Sequence, residues 1–452
     1  MMKRSLKLKT APTVVILANG TATTMLMLAK GTIPIVLMLV FAVLIFMLYV
    51  SPTTNRRHTY NGSDTAALEM EDKHIEQNDL YFDKLFIRHD SDRRTFLKGA
   101  IHFVWDTYLK YHSPNTLRSC VNGRFLVYSC TGGTVCGGLA DRQRGIISAF
   151  LLALLSNRTF VVDMARPCEL ERFLDPNLYD WIKCKDYIRK LSSKDITTLN
   201  YHNERQEFKR LLSINNSNTE LFNDTVVKII LNMCALPLFY SANLTAVRMP
   251  WLKLYTKIDL INIVYHILFR PGKKLLHDLR LVDQQIAKKH LHCAHIRIGK
   301  NPDIPNDPTF VQSRGFINTS TISSFFKRGT DRHTNLVFIA ADASHVRKEM
   351  TARHEHVLQL NTSIVHIGFS RKTPEACGGF YSAILEQLVL TQCEQLVLTS
   401  SGFGSMAAYL RGISWGLFQY NSNRTNDVSL RNSVSEHTLE ADMKSHGFFI
   451  RY

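Results

Sequence analysis

The sequence predicts an α/β protein in which two Rossmann-like domains face each other across a cleft, behind a single N-terminal transmembrane helix and a polar stem. Three observations support this prediction. Apolar runs of strand length alternate with helix-spaced apolar residues in both halves of the chain. An apolar run of membrane-spanning length lies near the N-terminus. The 452 residues are 45% hydrophobic and 21% charged, a globular composition that suffices for two or three domains.

The charge balance favours an anionic partner. The chain has 55 Lys and Arg against 38 Asp and Glu, a formal net charge of +17. Such an excess attracts nucleic acid, a membrane surface or a phosphate-bearing ligand, and composition leaves these three classes open.

The apolar run Ile33–Val50 predicts a membrane span. Its eighteen residues carry no charge, and as a helix they nearly cross a hydrocarbon layer of ~30 Å. Basic residues are concentrated before the run, so the positive-inside rule places residues 1–32 in the cytosol and predicts a type II membrane protein. The alternative is a cleaved signal peptide, which fits less well because the run exceeds the ~7–15 residues of a signal core. The preceding basic residues are Lys3, Arg4, Lys7, Lys9 and Lys30.

Cysteines and glycosylation signals place the chain behind that span in the secretory lumen, which excludes nucleic acid in practice. All nine cysteines lie there without zinc-ligand spacing, so they predict disulfides with at least one thiol left over. N-x-S/T sequons share this placement. Asn157 lies between a predicted helix and strand, where a glycan fits poorly. The sequons predicted to carry glycans are Asn61, Asn215, Asn223, Asn243, Asn318, Asn361 and Asn423.

Residues 51–94 form the predicted stem and residues 95–289 the first Rossmann-like domain. The stem is polar and has no sustained apolar period. The domain opens with a βαβ unit, made of strand Phe125–Ser129, helix Leu139–Ser156 and strand Thr159–Asp163. The rest of the domain is predicted to be mostly helical.

Residues 290–452 form the predicted second Rossmann-like domain. Two such domains across a cleft make the GT-B architecture, common among nucleotide-sugar transferases, in which ligands bind at the carboxyl ends of the strands. The predicted strands are His292–Ile298, Asn335–Ala341, Ser363–Ile367 and Gln395–Thr399, and the clearest helix is Gly379–Thr391.

The segment HIRIG, residues 295–299, ends the first of these strands. His295 and Arg297, both predicted nucleotide-sugar ligands, are two residues apart and share one face of the sheet, while Gly299 allows the chain to turn away. A guanidinium there can grip a pyrophosphate and neutralise charge as a nucleoside diphosphate leaves. The alternative is a strand-end arginine paired with a carboxylate, beside a histidine in the core.

A second anion site is predicted at Thr399–Ser405, before the helix Met406–Arg411. Glycines and hydroxyls at a helix N-terminus present N–H groups and the positive end of the helix dipole, which suit a phosphate. The alternative is a helix start capped by serine, without a ligand. The predicted nucleotide-sugar ligands are Ser400, Ser401, Gly402, Phe403 and Gly404.

Three further positions are candidates for nucleotide-sugar binding. Gly138 and Arg142 lie in a glycine-rich turn before the first helix, where the arginine side chain can reach a phosphate or an acceptor sugar. The alternative is a tight βα turn that needs only its glycines. Asp342 follows the strand Asn335–Ala341 and suits a hydrogen bond to a ribose or base, or a helix N-cap.

The order of these motifs resembles that of a known enzyme family. Residues Phe125–Val162 include VYSC, GGLADR and SAFLLALLSNRTFVVD, and resemble the opening of the plant xyloglucan fucosyltransferases. Residues Ala383–Gly412 are similar to the closing motif of that family. Within them, TSSGFGSMAAYL is also similar to the TFG-containing motif of animal galactoside 2-alpha-fucosyltransferases. HIRIG lies between these segments, where both families carry H-x-R or Q-x-R.

The resemblance implies a GT-B enzyme of the Golgi membrane that transfers L-fucose from GDP-fucose to a glycan hydroxyl, with inversion and without a metal or other cofactor. The expected linkage is α-1,2 to galactose. By position, the resemblance implies that Arg297 contacts the donor pyrophosphate, that residues 401–404 hold donor phosphates and that Asp342 helps bind the nucleoside. The first domain then binds the acceptor and the second the GDP-sugar.

This chain departs from both families at particular positions. Asp141 replaces the Asn of the plant GLGNR motif, and Gly402 replaces the Thr before Phe-Gly. HIRIG lacks the second Arg and the Asp of the animal H-x-R-R-G-D form. These changes bear on acceptor choice and on activity, and they leave the superfamily resemblance intact.

A catalytic base is predicted in the loop after HIRIG. Asp303 and Asp307 are the nearest carboxylates in sequence, and Asp303 is the predicted catalytic residue beside Arg297. Two alternatives are that both are solvated loop residues, and that a dissociative path needs no strong base.

Two other classes of protein compete with this prediction. A metal-dependent GT-A transferase needs a D-x-D at the end of an apolar strand; Asp90-Ser91-Asp92 has that spacing but lies at the stem boundary. A catalytically silent lumenal glycan-binding protein is compatible with the departures from the family pattern. Arg297 together with an intact Ser-Gly-Phe-Gly loop favours an enzyme.

Overall fold

The structure, a computed structural model, describes residues 13–17, 24–28, 90–110, 120–131, 136–213, 222, 224–299, 317–327, 334–365, 367–368, 373–422 and 428–432. The chain divides into two compact units, Met1–Asp72 and Lys73–Tyr452. In the first unit, β1 (Thr13–Leu17) and β2 (Thr24–Leu28) pair antiparallel. The predicted span 33–50 and the predicted stem as far as residue 89 lie outside the described residues. No helix among those described is long and apolar enough to cross a membrane.

Residues 90–289 of the second unit, called the N-half here, are built around a four-stranded parallel sheet. The sheet order is β4-β3-β7-β6, and β5 and β8 form a separate antiparallel ribbon. The elements are helix α1 (Ser91–Val104), a π-helical turn (Trp105–Leu109), β3 (Phe125–Cys130), α2 (Leu139–Leu155), β4 (Thr159–Met164), β5 (Leu174–Pro176), α3 (Lys185–Arg189), β6 (Ile196–Asn200), α4 (Arg205–Leu212), β7 (Val226–Ile230), α5 (Leu236–Ser241), α6 (Asn243–Arg248), α7 (Lys257–Leu268), β8 (Phe269–Pro271) and α8 (Lys273–Ile286), with 3₁₀ turns at Leu170–Arg172, Ser193–Asp195 and Pro250–Leu254.

Residues 290–432, the C-half, contain a five-stranded sheet in the order β10-β9-β11-β12-β13. The first four of these strands are parallel, and β13 pairs antiparallel at the edge. The elements are β9 (His290–Ile296), α9 (Thr319–Lys327), β10 (Asn335–Ala341), α10 (Ser344–Ala352), α11 (Pro374–Leu390), β11 (Gln395–Leu398), α12 (Gly402–Arg411), β12 (Leu417–Ser422) and β13 (Val428–Asn432).

The predicted α/β class with parallel sheets is confirmed, and so is the first βαβ unit. β3, α2 and β4 begin at the predicted residues Phe125, Leu139 and Thr159. The predicted strand Ser363–Ile367 is wrong: its described residues, 363–365 and 367, join no sheet, and the Ser363 N–H donates to Ser382 Oγ on α11, 3.1 Å away. The prediction also omitted β12 and β13, which follow α12.

Helix α2 is the element that joins the two halves. It is buried along almost its whole length, as expected of a helix whose residues after Arg144 are nearly all apolar. It packs on β3 and β4 of its own half and against α11 and α12 of the C-half. One continuous hydrophobic core therefore includes Phe150 and Leu151 of α2 together with Ile384 and Met406 of the C-half.

Disulfides are confirmed, and one of them crosses between the halves. The pairs are Cys120–Cys184, Cys130–Cys136, Cys168–Cys377 and Cys293–Cys393. Cys234 carries a free thiol, as the odd cysteine count requires. Cys168 lies in the N-half and Cys377 on α11, so this bond links the halves covalently.

The predicted glycosylation sites fall into two groups. Asn243 and Asn361 are exposed and Asn318 is partly buried. Asn61, Asn215, Asn223 and Asn423 lie outside the described residues. Glycosylation at all seven stays a prediction.

Candidate functional site

The carboxyl ends of β9, β10 and β11 meet at one edge of the C-half sheet. β9 pairs in parallel with both β10 and β11, so the residues that follow the three strands come together. These residues are Arg297 after β9, Asp342 after β10 and Thr399 after β11. Three predicted site segments that are far apart in sequence are therefore neighbours.

Asp342 holds the turn that follows β9. Its Oδ1 accepts the Ile298 N–H at 2.9 Å, its Oδ2 accepts the Gly299 N–H at 3.0 Å, and the carboxylate forms an ion pair with the Arg297 guanidinium. Gly299 has a φ of +68°, which permits the sharp turn. Asp342 does not have its alternative role as a helix N-cap, because the residue at the N-cap position of α10 is Ala343. Its carboxylate positions Arg297, whose side chain is 13% exposed.

Thr399 connects the Arg297 backbone to β11. The Arg297 N–H donates to Thr399 Oγ1 at 2.8 Å, and the Thr399 N–H donates to the His295 carbonyl at 3.0 Å. The strand end that carries Arg297 is therefore bound on both sides, by Asp342 and by Thr399. Such bonding reduces the reorganisation that the guanidinium needs when it meets an anion.

Helix α12 begins at Gly402, four residues before the predicted start at Met406. Its N-cap residue Ser401 makes no side-chain capping bond, whereas the Ser405 hydroxyl donates to the Ser401 carbonyl at 2.9 Å. The alternative of a helix start capped by a serine side chain is therefore not observed in α12. N–H groups of the first helical turn have no acceptor within the helix and are suited to an anion.

The first turn of α12 lies against His295. The Phe403 ring centroid is 5.1 Å from that of the buried His295. A Cβ atom added at Gly404 would lie 2.7 Å from His295 Nδ1 and 3.0 Å from Leu398 Cδ2. A side chain at position 404 does not fit without displacement, so glycine allows α12 to approach β9.

Arg142 does not fulfil the expectation that it reaches a phosphate or an acceptor. Its side chain is 1% exposed, and its guanidinium donates to the carbonyls of Gly137, Arg166 and Ile367. Burial lowers the pKa of Arg142 to about 10, which still leaves it charged at neutral pH. In this structure, Arg142 connects the halves, and a phosphate has no direct access to its guanidinium.

Gly138 is likewise engaged within its own turn. It is the N-cap of α2, and its N–H donates to Asp141 Oδ2 at 3.0 Å. The observed geometry is that of the tight βα turn considered as the alternative. Phosphate binding by Gly138 remains a prediction.

Arg144 is a residue of the site that the sequence analysis missed. Its Nη2 donates to the Gly402 carbonyl at 3.2 Å, across the junction between the halves. Residues two apart on a helix point roughly 200° apart, so Arg142 and Arg144 cannot both face α12. The signal that could have identified Arg144 is its position two residues after the end of the GGLADR motif, on the opposite face of the same helix.

The structure thus brings together Arg297, Asp342, His295, Ser401, Gly402, Phe403 and Gly404, and adds Arg144 from the N-half. Ser400 is partly buried beside them, between β11 and α12. The predicted base Asp303 lies outside the described residues, as does Asp307. No group of three potential metal-ligating side chains occurs in the part of the chain that the structure describes.

A cavity of about 250 Å³ lies at the opposite end of α12, between α1, α7 and the chain after Gly412. Arg93 donates to the Gly412 carbonyl at 2.8 Å and forms an ion pair with Asp259, which also accepts the Thr256 hydroxyl at 2.7 Å. These polar groups bind one another and join the halves. The cavity is a structural junction at some distance from the candidate site.

No protein-family model and no curated protein sequence matches the chain. The structure is similar to the NodZ alpha-1,6-fucosyltransferase of Bradyrhizobium at 13% identity, over 69% of this chain and 99% of that chain, with a TM-score of 0.45. It is also similar to a variant of Arabidopsis thaliana FUT1 in complex with GDP (14% identity, 80% and 83%, TM-score 0.47) and to POFUT1 in complex with GDP (11%, 64% and 95%, TM-score 0.35). These neighbours are fucosyltransferases, the class named by the sequence resemblance.

Proposed function

We propose that the chain is an inverting fucosyltransferase of GT-B architecture, which transfers L-fucose from GDP-fucose to a glycan hydroxyl with α-1,2 linkage to galactose. The observation that supports this proposal is the convergence of Arg297 with the first turn of α12 at one sheet edge. Thr399, three residues before α12, accepts the Arg297 N–H and donates its own N–H to the His295 carbonyl, and the His295 ring contacts the Phe403 ring in the first turn of α12. A guanidinium beside a helix N-terminus suits a diphosphate.

The proposed donor diphosphate lies between Arg297 and the N–H groups of residues 402–404. Arg297 donates to the phosphate oxygens, and Asp342 holds its guanidinium in place. Asp342 already accepts the N–H groups of Ile298 and Gly299, so we assign it to positioning Arg297 in addition to the nucleoside contact implied by the resemblance.

In the proposed reaction, the acceptor hydroxyl oxygen attacks the anomeric carbon of fucose. The bond from that carbon to the β-phosphate oxygen breaks, and its electron pair leaves with GDP. The hydroxyl proton passes to a base, for which Asp303 is the candidate. Arg297 stabilises the negative charge that develops on the departing GDP, which is a transition-state effect.

The proposal assigns to Arg297 and to main-chain N–H groups the role that a divalent cation has in GT-A enzymes. The competing D-x-D motif lies at a helix start: Asp90 caps α1 by accepting the Arg93 N–H at 2.8 Å, and Asp92 lies in the first turn. In GT-A enzymes, by contrast, the metal-binding D-x-D is expected at the end of an apolar strand.

The test is fucose transfer by the full-length protein in the presence of EDTA. We expect transfer from GDP-fucose to a galactose-terminated acceptor, at a rate unchanged by EDTA and by added Mn²⁺, with UDP-sugars inactive as donors. Mass spectrometry of the acceptor gives the product, and its methylation analysis gives the linkage.

Two outcomes would contradict this proposal in different ways. Activity lost in EDTA and restored by Mn²⁺ would favour the metal-dependent alternative. GDP binding without transfer to any acceptor would favour the silent glycan-binding alternative.

We also propose that the protein is a type II glycoprotein of the Golgi membrane, with the described N-half and C-half in the lumen. The disulfides support an oxidising compartment. In a protease-protection assay, a C-terminal tag is expected to be protected in sealed vesicles, and cleavage of that tag without detergent would overturn the topology.

A further inference from the structure

The start of α2 binds the C-half through three successive side chains. Arg142 Nη2 donates to the Ile367 carbonyl at 3.0 Å, Gln143 Nε2 donates to Gln387 Oε1 at 2.6 Å, and Arg144 Nη2 donates to the Gly402 carbonyl at 3.2 Å. Arg142 and Gln143 are buried. Because these bonds fix the helix start, the Arg144 guanidinium is held at the first turn of α12.

The charge of Arg144 is only partly compensated within the described part of the chain. Its side chain is 13% exposed, and the carboxylate paired with it, Asp141 Oδ1, is 3.7 Å away and 40% exposed. The Gly402 carbonyl contributes a dipole but no charge. A desolvated guanidinium gains most from an anion at hydrogen-bonding distance, so the site favours a further anionic group.

Gly402 is what admits this guanidinium to the helix start. A Cβ atom added at position 402 would lie 3.0 Å from Arg144 Nη2 and 3.6 Å from its Cζ. A side chain there would push the guanidinium away from the N–H groups of the first turn. The Arg144 guanidinium of the N-half therefore lies beside the first turn of α12, which belongs to the C-half.

We propose that Arg144 is a donor-binding residue, which contacts the diphosphate of the nucleotide sugar from the N-half while Arg297 contacts it from the C-half. This inference rests on the proposed function, since it takes the nucleoside diphosphate as the ligand. When the diphosphate binds, Arg144 moves its hydrogen bonds from the Gly402 carbonyl to a phosphate oxygen. The donor then bridges the halves.

The test is titration calorimetry on the full-length protein with GDP and with guanosine, which lacks the phosphates. Arg144→Ala is expected to weaken GDP binding about tenfold or more and to leave guanosine binding within about twofold, because only the phosphate contact is lost. Arg144→Lys, which keeps the charge without the planar fork, is expected to lie between wild type and Ala.

Arg248→Ala is the matched control. Arg248 Nη1 donates to the Leu155 carbonyl at 2.6 Å, a guanidinium–carbonyl bond at the last residue of the same helix. Leu155 is eleven residues from Arg144, roughly 16 Å along the helix. This variant is expected to bind GDP and guanosine like wild type.

The outcomes separate this inference from the proposed function. A wild-type protein that does not bind GDP would overturn both. Wild-type GDP binding that is unchanged in Arg144→Ala would overturn only the role of Arg144, and so would an equal loss of GDP and guanosine binding. If Arg144→Ala lowers the melting temperature, Arg144→Gln, which keeps a donor without the charge, replaces it, and wild-type GDP affinity in that variant would overturn the role.

Discussion

Arg297→Ala is expected to lower the rate of fucose transfer about a hundredfold or more, because removing one preorganised donor to a developing charge costs roughly 2.7–4 kcal/mol. The protein should still fold. Asp342 keeps the N–H groups of Ile298 and Gly299 as partners when the guanidinium is removed, so its carboxylate is not left without hydrogen bonds. Steady-state kinetics with GDP-fucose and a thermal melt of the same preparation measure both effects.

Two further variants test whether this loss comes from the guanidinium. Arg297→Lys keeps the charge but loses the fork geometry, and is expected to restore the rate only in part. Arg353→Ala removes an exposed arginine paired with Glu349 at 2.8 Å on α10 and should transfer fucose like wild type. Near-wild-type transfer by Arg297→Ala would refute the proposed role, and a misfolded variant would show instead that the Arg297–Asp342 ion pair is structural.

Gly404→Ala is expected to lower the rate of fucose transfer between about tenfold and a hundredfold, because a misplacement near 1 Å at a catalytic site costs that much. The added Cβ atom would meet His295 Nδ1 at 2.7 Å, so either the histidine rotates or the first turn of α12 moves away from β9. Overpacking of this kind also costs about 1–3 kcal/mol of stability. Transfer kinetics and chemical denaturation measure the two effects.

Gly378→Ala is the control for this substitution. Gly378 lies within α11, and nothing is within 4 Å of a Cβ atom added there. Alanine should therefore stabilise the protein by about 0.5–1 kcal/mol through helix propensity and leave transfer unchanged. A Gly404→Ala variant with wild-type kinetics would show that the approach of α12 to His295 is not needed for function.

The helices and strands of the first βαβ unit could be predicted from the sequence because their signals are local. Leu139–Leu155 carries apolar residues at helical spacing, and glycines precede it. The strand Ser363–Ile367 was predicted by the same kind of local signal and was wrong. A short, mainly apolar run can either pair in a sheet or pack on a helix. Here Ser363 hydrogen-bonds to Ser382 on α11 instead of pairing with a strand.

The sequence by itself determined the α/β class, the presence of disulfides, and the three motifs around Arg297, Asp342 and residues 400–404, because each depends on residue type and spacing within one segment. Only the tertiary structure decided which cysteines pair, that Asp342 holds Arg297 rather than capping α10, and that Arg144 rather than Arg142 faces Gly402. These facts depend on contacts between segments up to 258 residues apart. Residue spacing within one segment cannot specify which side chain of another segment it meets, since that depends on how α2, the two sheets and α12 pack together.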